Sequence, residues 1–538
     1  MLDIHTIVDK ACTMQPAQSD VDRTTVAQHD TQVLIVGAGP TGLVLALWLT
    51  KLGIAVRIID KTAEAGTTSR ALAVQSRTLE FYRQIGLADE VVNRGVWIAG
   101  INLWVRSTKA ARVPFGKIGE GLSPFPFGLV FPQDAHEQLL IERLEACGVT
   151  VERQTELLHF DQSHDSVRAT LKQPDGAEVI CHAAYLAGCD GARSVVRNVL
   201  GFTFPGGTYT QRFYVADVDA EGPATDHELH IDLDDADFLA VFPLKGKGRV
   251  RLVGTVREPA DENTELTFDD VSQRAIEHLK LGITKVNWFS TYRVHHRVVP
   301  SFRQARAFLL GDAAHIHSPA GGQGMNTGIG DAVNLAWKLA DVLNHHATDS
   351  LLDTYEVERI RFARRLVATT DRGFTLATSE GSLARHVRTQ VIPLIAPWLF
   401  KWPPLRRFLF RTMSQIGINY RHSALSEGKV GGVHGGDRLP WVRTADGHDN
   451  FDSLESLTWQ VHVYGTAHTS LIEACAEHQL SIHVLAWSTD MKRAGFRRNA
   501  FYLVRPDGYI AIAAPAGDAQ QLRDYLLAHT SAQHTKAA

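Results

Sequence analysis

A glycine-rich turn near the start of the chain has the composition of a pyrophosphate-binding loop. Gly37, Gly39 and Gly42 form a GxGxxG pattern after the β-branched run 32–36, and Asp60 ends a second such run. In this pattern the first glycine permits a tight turn, the second lets the backbone approach a pyrophosphate, and the third lets a helix pack on its strand. The helix start offers N–H donors to phosphates, and Asp60 can accept hydrogen bonds from a ribose diol. Strand, turn, helix, strand and acid together predict a dinucleotide site.

A second glycine-rich segment lies far along the chain. Asp312 follows the apolar run 308–310, and the glycines of segment 321–324 precede Met325 and Asn326 at the start of a predicted helix. Backbone N–H groups there can surround an electron-rich group, and Asp312 can accept hydrogen bonds from a polyol chain. Each feature alone is typical of a helix cap or a flexible loop. Together with the first turn they favour one extended cofactor held at two places.

Three other polar residues stand where extended segments meet turns or helices. Arg70 comes before the helix predicted over 78–85, and Gln133 before the helix predicted over 137–146. Asp190 lies in an Asp-Gly turn between a strand-like run and a helix start. The glycine turn alone does not identify which dinucleotide is bound, and these further segments are the features that bear on it.

The apolar patterning around these turns predicts an α/β fold. The β-branched runs 32–36 and 55–59 flank an apolar helix predicted over 43–52, which ends at Gly53, and a long helix is predicted over 325–343. The region 203–299 has a different texture, because runs 237–244 and 249–253 surround a Lys-Gly-Lys-Gly turn that is typical of a hairpin.

That hairpin has two distinct faces. Phe238, Ala240 and Phe242 share one face of the strand, and Leu239 and Val241 share the other. The sequence leaves open which face meets a ligand. The nearby pair at 295–296 invites a metal or acid–base interpretation, but adjacent strand residues point to opposite faces and no acidic ligand accompanies them. Ordinary strand positions are therefore favoured for these two histidines.

Composition excludes several classes of protein. The 538 residues are 44% hydrophobic and 21% charged with a net charge of −4, so a disordered chain and a basic field for nucleic acid or acidic lipid are excluded. The five cysteines form no CxxC pair, which argues against zinc and dithiol sites. No apolar run approaches the roughly 20 residues of a membrane helix, and residues 1–30 lack a signal-peptide core. We expect a cytoplasmic protein.

Six sequence blocks occur in a fixed order over residues 31–370. They are 37–42, 189–194, 311–315, 319–328, 331–339 and 351–359. In these blocks the chain resembles the single-component FAD-dependent aromatic hydroxylases, the flavoprotein monooxygenases of the p-hydroxybenzoate hydroxylase and phenol hydroxylase type.

The resemblance implies a fold and a set of domains. The expected fold is α/β, with a Rossmann-like FAD-binding domain, an inserted and mostly antiparallel substrate sheet, and a C-terminal thioredoxin-like domain. The implied segments are a loose extension (1–30), the FAD-binding domain (31–202 and 301–370), the substrate-binding sheet (203–300), a helical connector (371–430) and the thioredoxin-like domain (431–530). Redox work by that last domain would need a CxxC, and only Cys475 is present there, which favours a structural or dimer-contact role. A homodimer stays open.

The resemblance also implies residue roles. Gly37, Gly39, Thr41 and Gly42 would hold the pyrophosphate, and Asp60, assisted by Lys61, the adenosine ribose. The remaining cofactor contacts would be Arg70 and Gln133 at the diphosphate and ribityl chain, Leu157 at adenine, Asp190 at FAD and NAD(P)H or as a turn residue, Asp312 at the ribityl chain, and Gly322, Gly324, Met325 and Asn326 at the flavin pyrimidine edge. Pro319 would shape the reacting face as the catalytic residue, and no metal is expected.

The implied activity is hydroxylation of a phenolic or other electron-rich aromatic substrate. FAD would be the cofactor, NADH or NADPH the hydride donor and O₂ the oxygen source, through a flavin C4a-hydroperoxide. Partners would be these small molecules, with neither nucleic acid nor membrane. The alternatives are an NAD-dependent dehydrogenase, a halogenase, a flavin monooxygenase of epoxidising or Baeyer–Villiger type on a polycyclic or polyketide-like substrate, and a non-catalytic FAD- or ligand-binding protein.

Overall fold

The computed structural model describes most of the chain. The described residues are 29–66, 71–116, 118–233, 238–256, 266–318, 322–378, 386–399 and 402–529. Almost all of the predicted N-terminal extension, together with Arg70 and Pro319, lies outside them. Among the described residues, no helix combines the length and hydropathy needed to cross a membrane.

The first domain is built on a twisted sheet of seven strands. Its centre is parallel, with Thr31–Val36 between Val56–Ile59 and Glu178–Gly188, and Ala307–Leu309 on the far side of Glu178–Gly188. The first strand is almost entirely buried, as expected for a strand covered on both faces. Three antiparallel strands complete the sheet: Glu156–Gln162, Val167–Lys172 and Arg303–Gln304.

Helices cover this sheet, and the first glycine turn lies between its first strand and the helix that follows. They are Pro40–Lys51, Ser76–Gln84, Ala88–Arg94, Gln133–Ala146, Val195–Val199, Gly324–Leu343 and Asp353–Thr378. The first helix begins at Pro40 rather than Leu43, because proline is well suited to the first helical position. A small three-stranded sheet, formed by Ala73–Val74, Val96–Ile98 and Gly128–Val130, lies beside them.

A second sheet of eight strands stands over the first domain. Its strands in spatial order are His315–Ile316, Gly282–Val298, Gly206–Glu221, Arg249–Val256, Leu239–Pro243, Leu229–Asp232, Gly100–Val105 and Thr108–Pro114. The predicted hairpin is present, with Leu239–Pro243 antiparallel to Arg249–Val256. The sheet also includes two strands within 100–114, which lie outside the predicted region 203–300. The pairing of Gly100–Val105 with Leu229–Asp232 is long-range and has no local sequence signal. The helix Gln273–His278 packs on it. We call this the roof sheet.

The last part of the chain begins with helices and ends in a mixed sheet. The helices are Ile392–Leu399, after a π-helical turn at Val387–Val391, and Pro403–Met413. Six strands follow in the spatial order Val433–His434, Glu427–Val430, Ile510–Ala514, Phe501–Val504, Gln460–Tyr464 and Ser481–Leu485, with helices Thr469–Glu477, Thr489–Ala494 and Ala519–His529. This C-terminal domain encloses its own apolar cores.

Buried charges join the C-terminal domain to the first domain. Arg505 pairs with both carboxylate oxygens of Glu358 at 2.8 and 3.0 Å and with Asp507 at 2.6 Å, and Lys338 reaches Glu358 at 2.9 Å. All four side chains are essentially inaccessible to solvent. We call this group, with its hydrogen-bonding neighbours Asn334 and Ser423, the junction cluster.

Candidate functional site

The first glycine turn is forced by close backbone contacts. Gly37 has φ +105°, and a Cβ there would lie 2.4 Å from the carbonyl oxygen of Cys189. A Cβ at Gly42 would lie 2.0 Å from the carbonyl oxygen of Gly37. The first and third glycines therefore let the turn, the helix Pro40–Lys51 and the neighbouring strand end meet at backbone distance, as the pattern predicts.

Gly39 behaves differently from its two neighbours. It caps the helix Pro40–Lys51 in an extended conformation, and a Cβ there would meet no described atom within 4 Å. Steric contact inside the protein therefore does not explain a glycine at this position. Open space beside the N–H groups of a helix start is what an approaching pyrophosphate requires, so the turn fits the FAD that the sequence predicts.

A cleft of about 250 Å³ adjoins this turn at the carboxyl ends of the parallel strands. Besides Gly37, four residues predicted from the sequence line it: Asp60, Lys61, Leu157 and Asp190. They come from three separate strand ends, and the sheet topology brings them together. The cleft is thus the candidate site for the adenosine part of the cofactor.

Asp60 organises the glycine turn as well as lining the cleft. Its Oδ2 accepts from the Ala38 N–H at 2.7 Å, and its Oδ1 accepts from the N–H and hydroxyl of Thr62 at 2.8 and 2.7 Å. A carboxylate has further acceptor sites, so these bonds leave room for a ribose diol. Thr62 carried no sequence signal, because its role depends on local backbone geometry.

Asp190 uses its two carboxylate oxygens differently. Oδ2 accepts from the backbone N–H groups of Val195 and Val196 at 2.7 and 3.2 Å, and so holds the start of a short helix. Oδ1 is buried and has no hydrogen-bond partner among the described residues. Burial raises the pKa of this carboxyl above its ordinary value. One oxygen thus serves the turn, and the other is available to a donor from a ligand.

Gln133 is tied to a carboxyl group that sequence reasoning missed. Its Nε2 donates to Oε1 of Glu137 at 2.6 Å, one turn along the helix Gln133–Ala146. Glu137 is buried, and this burial raises its pKa. The pair lies beside Gly66. Residues four positions apart lie on the same face of a helix, so the spacing of Gln133 and Glu137 is the signal that could have identified Glu137.

The second glycine segment packs against the first turn through Thr41. A Cβ at Gly311 would lie 2.7 Å from the Thr41 Oγ1, and one at Gly328 would lie 2.3 Å from the same atom. Asp331 fixes this arrangement by accepting from the Gly311 N–H at 3.0 Å. Asp312, the predicted ribityl contact, follows Gly311 and is exposed. The two predicted halves of the cofactor site are therefore in direct contact.

Asp331 is the buried charge at the centre of this region. It accepts from His315 Nε2 at 2.7 Å and from Arg359 Nε at 2.6 Å. Burial alone would raise the pKa of Asp331, but Arg359 and His315 outweigh it and the pKa lies below its ordinary value. No sequence signal indicated this role, since the partners of Asp331 are distant along the chain.

Asn326 holds the start of the helix Gly324–Leu343 with its side chain. Its Oδ1 accepts from the Gln75 N–H at 2.9 Å and from the Thr78 hydroxyl at 2.7 Å, and its Nδ2 donates to the carbonyl oxygens of Ala73 and Gly322, both at 2.8 Å. These four bonds use the whole capacity of the amide group. They leave the backbone N–H groups of Met325 and Asn326 as the groups available for the predicted flavin contact.

A connector segment closes over the same helix start. Gln323 Nε2 donates to the Met413 carbonyl oxygen at 2.8 Å, and Gln415 Nε2 donates to Gln323 Oε1 at 2.7 Å and to the Thr327 hydroxyl at 3.1 Å. We call these contacts the latch. Gly322 has φ +62° beside the latch, and a Cβ there would lie 2.6 Å from that of Ala73. Gly324 directly follows Gln323.

Comparison with known proteins agrees with this geometry. A family model described as an FAD binding domain matches residues 30–370. The 6-methylpretetramide 4-monooxygenase of Streptomyces rimosus is 38% identical over 423 residues, which are 75% of this chain and 73% of that protein. The pentachlorophenol 4-monooxygenase of Sphingobium chlorophenolicum is 31% identical over 436 residues, which are 79% and 78% of the two chains.

Solved structures show the same fold. A crystal structure of aklavinone-11 hydroxylase, in a ternary complex with FAD and aklavinone, is similar with a TM-score of 0.74 and 26% identity, covering 93% of this chain and 99% of that one. The family match spans more than half of the chain and contains every residue predicted above to contact the cofactor. The chain is an FAD-dependent aromatic monooxygenase and belongs to the FAD-binding-domain family.

Proposed function

We propose that this monooxygenase hydroxylates a phenolic ring of a polycyclic aromatic substrate, with NADH or NADPH as electron donor and O₂ as oxygen source. The balanced reaction inserts one oxygen atom into an aromatic C–H bond. The second oxygen atom leaves as water, and NAD(P)H is oxidised to NAD(P)⁺ with uptake of one proton. The observation that carries the substrate class is the aromatic face of the roof sheet.

That face brings together side chains from two strands and Phe238, which directly precedes the strand Leu239–Pro243. Phe213, Tyr209 and Tyr292 pack with Phe238 and Val294. The rings of Phe213 and Tyr292 lie 5.9 Å apart. Tyr209, Phe238 and Tyr292 stay partly exposed, as expected for residues that line a pocket rather than fill a core. Flat rings gain both buried area and stacking geometry from such a surface.

The aromatic face adjoins the second glycine segment. Phe238 and Phe242 pack in a cluster with Leu72 and Met413. Leu72 precedes Ala73, which lies against Gly322, and Met413 is a latch residue. Phe238, Ala240 and Phe242 are therefore the side of the hairpin turned toward the predicted flavin position, which supports a substrate held between this face and the flavin.

The chain and its cofactor divide the work. FAD supplies the two-electron and oxygen chemistry when bound. The glycine turn and Asp60 hold its dinucleotide part, and the helix start at Gly324–Asn326 orients its ring. The latch and the roof sheet restrict access of water. Arg70 and Pro319, which the family resemblance places at the diphosphate and at the reacting face, stay part of this proposal.

The relatives support the substrate class. Their names include 6-methylpretetramide and aklavinone, and also the single-ring pentachlorophenol. We favour the polycyclic class, because four aromatic rings, those of Tyr209, Phe213, Phe238 and Tyr292, come together on this face. The proposal includes a thioredoxin-like C-terminal domain that has a structural rather than a redox role.

The test is oxygen-18 labelling with a panel of phenols and polycyclic phenols. We expect a substrate to accelerate NAD(P)H oxidation at least roughly tenfold, about 1.4 kcal/mol of barrier, and to gain one labelled oxygen atom. Nuclear magnetic resonance of the product separates a ring hydroxyl from an epoxide or a Baeyer–Villiger lactone. A Gly39→Ala protein serves as the matched control. Label recovered only in H₂O₂ across the panel would contradict the proposal.

A further inference from the structure

His317 lies between the roof sheet and the start of the helix Gly324–Leu343. The strand His315–Ile316 pairs with the end of the long roof strand Gly282–Val298, and His317 follows it directly. The Cε1 and Nε2 atoms of its ring lie 3.7 and 3.9 Å from the position a Cβ would take at Gly324. Gly324 is the first residue of the helix Gly324–Leu343. One edge of the imidazole is therefore directed at the helix start.

The hydrogen-bonding state of His317 follows from its neighbours. Its Nδ1 lies 3.0 Å from the carbonyl oxygen of Ser318, which can only accept, so Nδ1 carries the proton. Burial lowers the pKa of His317 to about 4. The ring is then neutral at ordinary pH, and its Nε2 presents a lone pair.

That lone pair has no donor within the described protein. Nε2 is buried without a hydrogen-bond partner among the described residues. The neighbouring His315 differs, since its Nε2 is paired with Asp331. These two groups are the titratable neighbours that act on His317: His315 lowers its pKa and Asp331 raises it. A buried acceptor without a donor is destabilising, and its presence at a ligand-binding helix start points to a donor supplied by the ligand.

We propose that His317 Nε2 accepts a hydrogen bond from a ring N–H or O–H group of an aromatic ligand bound at the start of the helix Gly324–Leu343. Two ligands of this enzyme carry such a group: the imide N–H of the flavin and the phenolic hydroxyl of the substrate. The second source rests on the proposed function. In that case His317 positions the hydroxyl and increases the electron density of the ring that is to be hydroxylated.

The first arm of the test measures FAD affinity. The apoprotein is titrated with FAD for the wild type, His317→Leu and His317→Gln, and flavin fluorescence is followed. If the flavin is the donor, the leucine variant should bind FAD about three- to tenfold more weakly, because it lacks an acceptor of similar size. The glutamine variant, whose side-chain oxygen can replace Nε2, should recover most of the affinity.

The second arm measures ligand selectivity in the FAD-loaded protein. 2-Naphthol and its methyl ether, which lacks the O–H donor, are titrated while the flavin absorption spectrum is followed. If the substrate is the donor, the wild type should prefer 2-naphthol about three- to tenfold. His317→Leu should lose this preference with unchanged FAD affinity, and His317→Gln should restore it.

Two results together would overturn the proposal. They are an FAD affinity that is equal in all three proteins, and a ratio of 2-naphthol to methyl-ether affinity that is the same in the wild type and in His317→Leu. Equal thermal unfolding midpoints show that the variants are folded, and the glutamine variant keeps the test valid if leucine perturbs packing. The proposed function fails separately, through absence of labelled product in the wild type.

Discussion

The cofactor cleft and the junction cluster use the chain in opposite ways. At the glycine turn beside the cleft, backbone groups meet without side chains between them, since Gly37 and Gly42 meet their neighbours at backbone distance and Gly39 borders open space. At the junction cluster, four fully buried charged side chains meet each other across two domains. The first region leaves open space beside its backbone, and the second pairs its charges within the protein.

The difference indicates which changes should affect binding and which should affect stability. A side chain added at Gly39 would compete with the predicted pyrophosphate, whereas one added at Gly37 would also clash with the protein itself. A charge removed at the junction leaves its partners buried and unpaired, which costs far more than the pair itself contributes. The predictions below separate these two effects.

The largest effect is expected for Glu358→Gln. The change removes the carboxylate that Arg505 and Lys338 share, which leaves Arg505 with Asp507 alone and the Lys338 ammonium buried without a paired carboxylate, so we expect a loss of about 3–5 kcal/mol in the free energy of unfolding. Guanidinium denaturation measures it. Trp337 is a suitable probe, because its Nε1 donates to Asp507 Oδ2 at 3.1 Å within the cluster.

The free energy of unfolding should also depend on pH through the Glu358 carboxylate. Burial alone would raise the pKa of Glu358, but Arg505 and Lys338 outweigh it and the pKa lies below its ordinary value of 4.5. The folded state thus binds fewer protons at this site, and the stability it contributes is complete above that value and lost as the pH falls below it. Glu358→Gln should flatten this acid dependence. The exposed pair Glu477–Arg523 provides the control, since Glu477→Gln should leave the unfolding midpoint unchanged. Equal midpoints for both variants would contradict the comparison.

The second effect separates two glycines of one turn. Gly39→Ala should fold with wild-type stability and bind FAD at least about a hundredfold more weakly, because its methyl group enters only the space left for the pyrophosphate. Gly37→Ala should lose both stability and binding, since φ +105° and the Cys189 carbonyl oppose a Cβ. FAD titration and thermal unfolding of both variants check this. Normal FAD binding by Gly39→Ala would be inconsistent with the assigned pyrophosphate position.

A smaller effect is expected at Asp312. The carboxylate is exposed beside Gly311, where a ribityl hydroxyl would meet it. Asp312→Ala should weaken FAD binding about ten- to a hundredfold, the loss of one charge-assisted hydrogen bond of roughly 1.5–3 kcal/mol. Asp312→Asn keeps a hydrogen-bond acceptor, and its FAD affinity should lie between those of the wild type and the alanine variant. An unchanged FAD dissociation constant in the alanine variant would remove Asp312 from the site.

The smallest effect is expected at Cys475. Its thiol is buried in the C-terminal domain, and burial raises its pKa to about 11, so it is not a thiolate at neutral pH. Cys475→Ala should leave turnover within about twofold of the wild type, measured as NAD(P)H oxidation with FAD bound. A large loss of turnover with normal FAD content would assign this domain a chemical role.

Local chemistry explains what could be predicted from the sequence. The glycine turn, Asp60 and the helix over Gly324–Leu343 were predictable, because GxGxxG and apolar periodicity act over a few residues. Asp331 and Glu137 looked like ordinary helix residues, and their roles depend on partners brought close by tertiary packing. Asn326 was expected at the flavin edge through its backbone, but the hydrogen bonds of its side chain had no sequence signal.

The junction cluster was beyond sequence reasoning for the same reason. Arg505 reaches Glu358 across 147 positions, and nothing in the spacing of either residue indicates the pairing. The C-terminal turn at 505–509 could be predicted as a turn between two strands, but not as the structure that inserts charges into another domain.

The pairing of Glu358 with Arg505 has a consequence for synthesis of the protein. Chains are synthesised at roughly 5–20 residues per second, so about 7–30 s pass between the synthesis of Glu358 and that of Arg505. During that interval the flavin-binding half of the nascent chain carries an acidic residue whose strongest counter-charge does not yet exist. The domain predicted to hold the cofactor is therefore completed by residues of the C-terminal domain, and a chain ending near residue 370 would release it without Arg505.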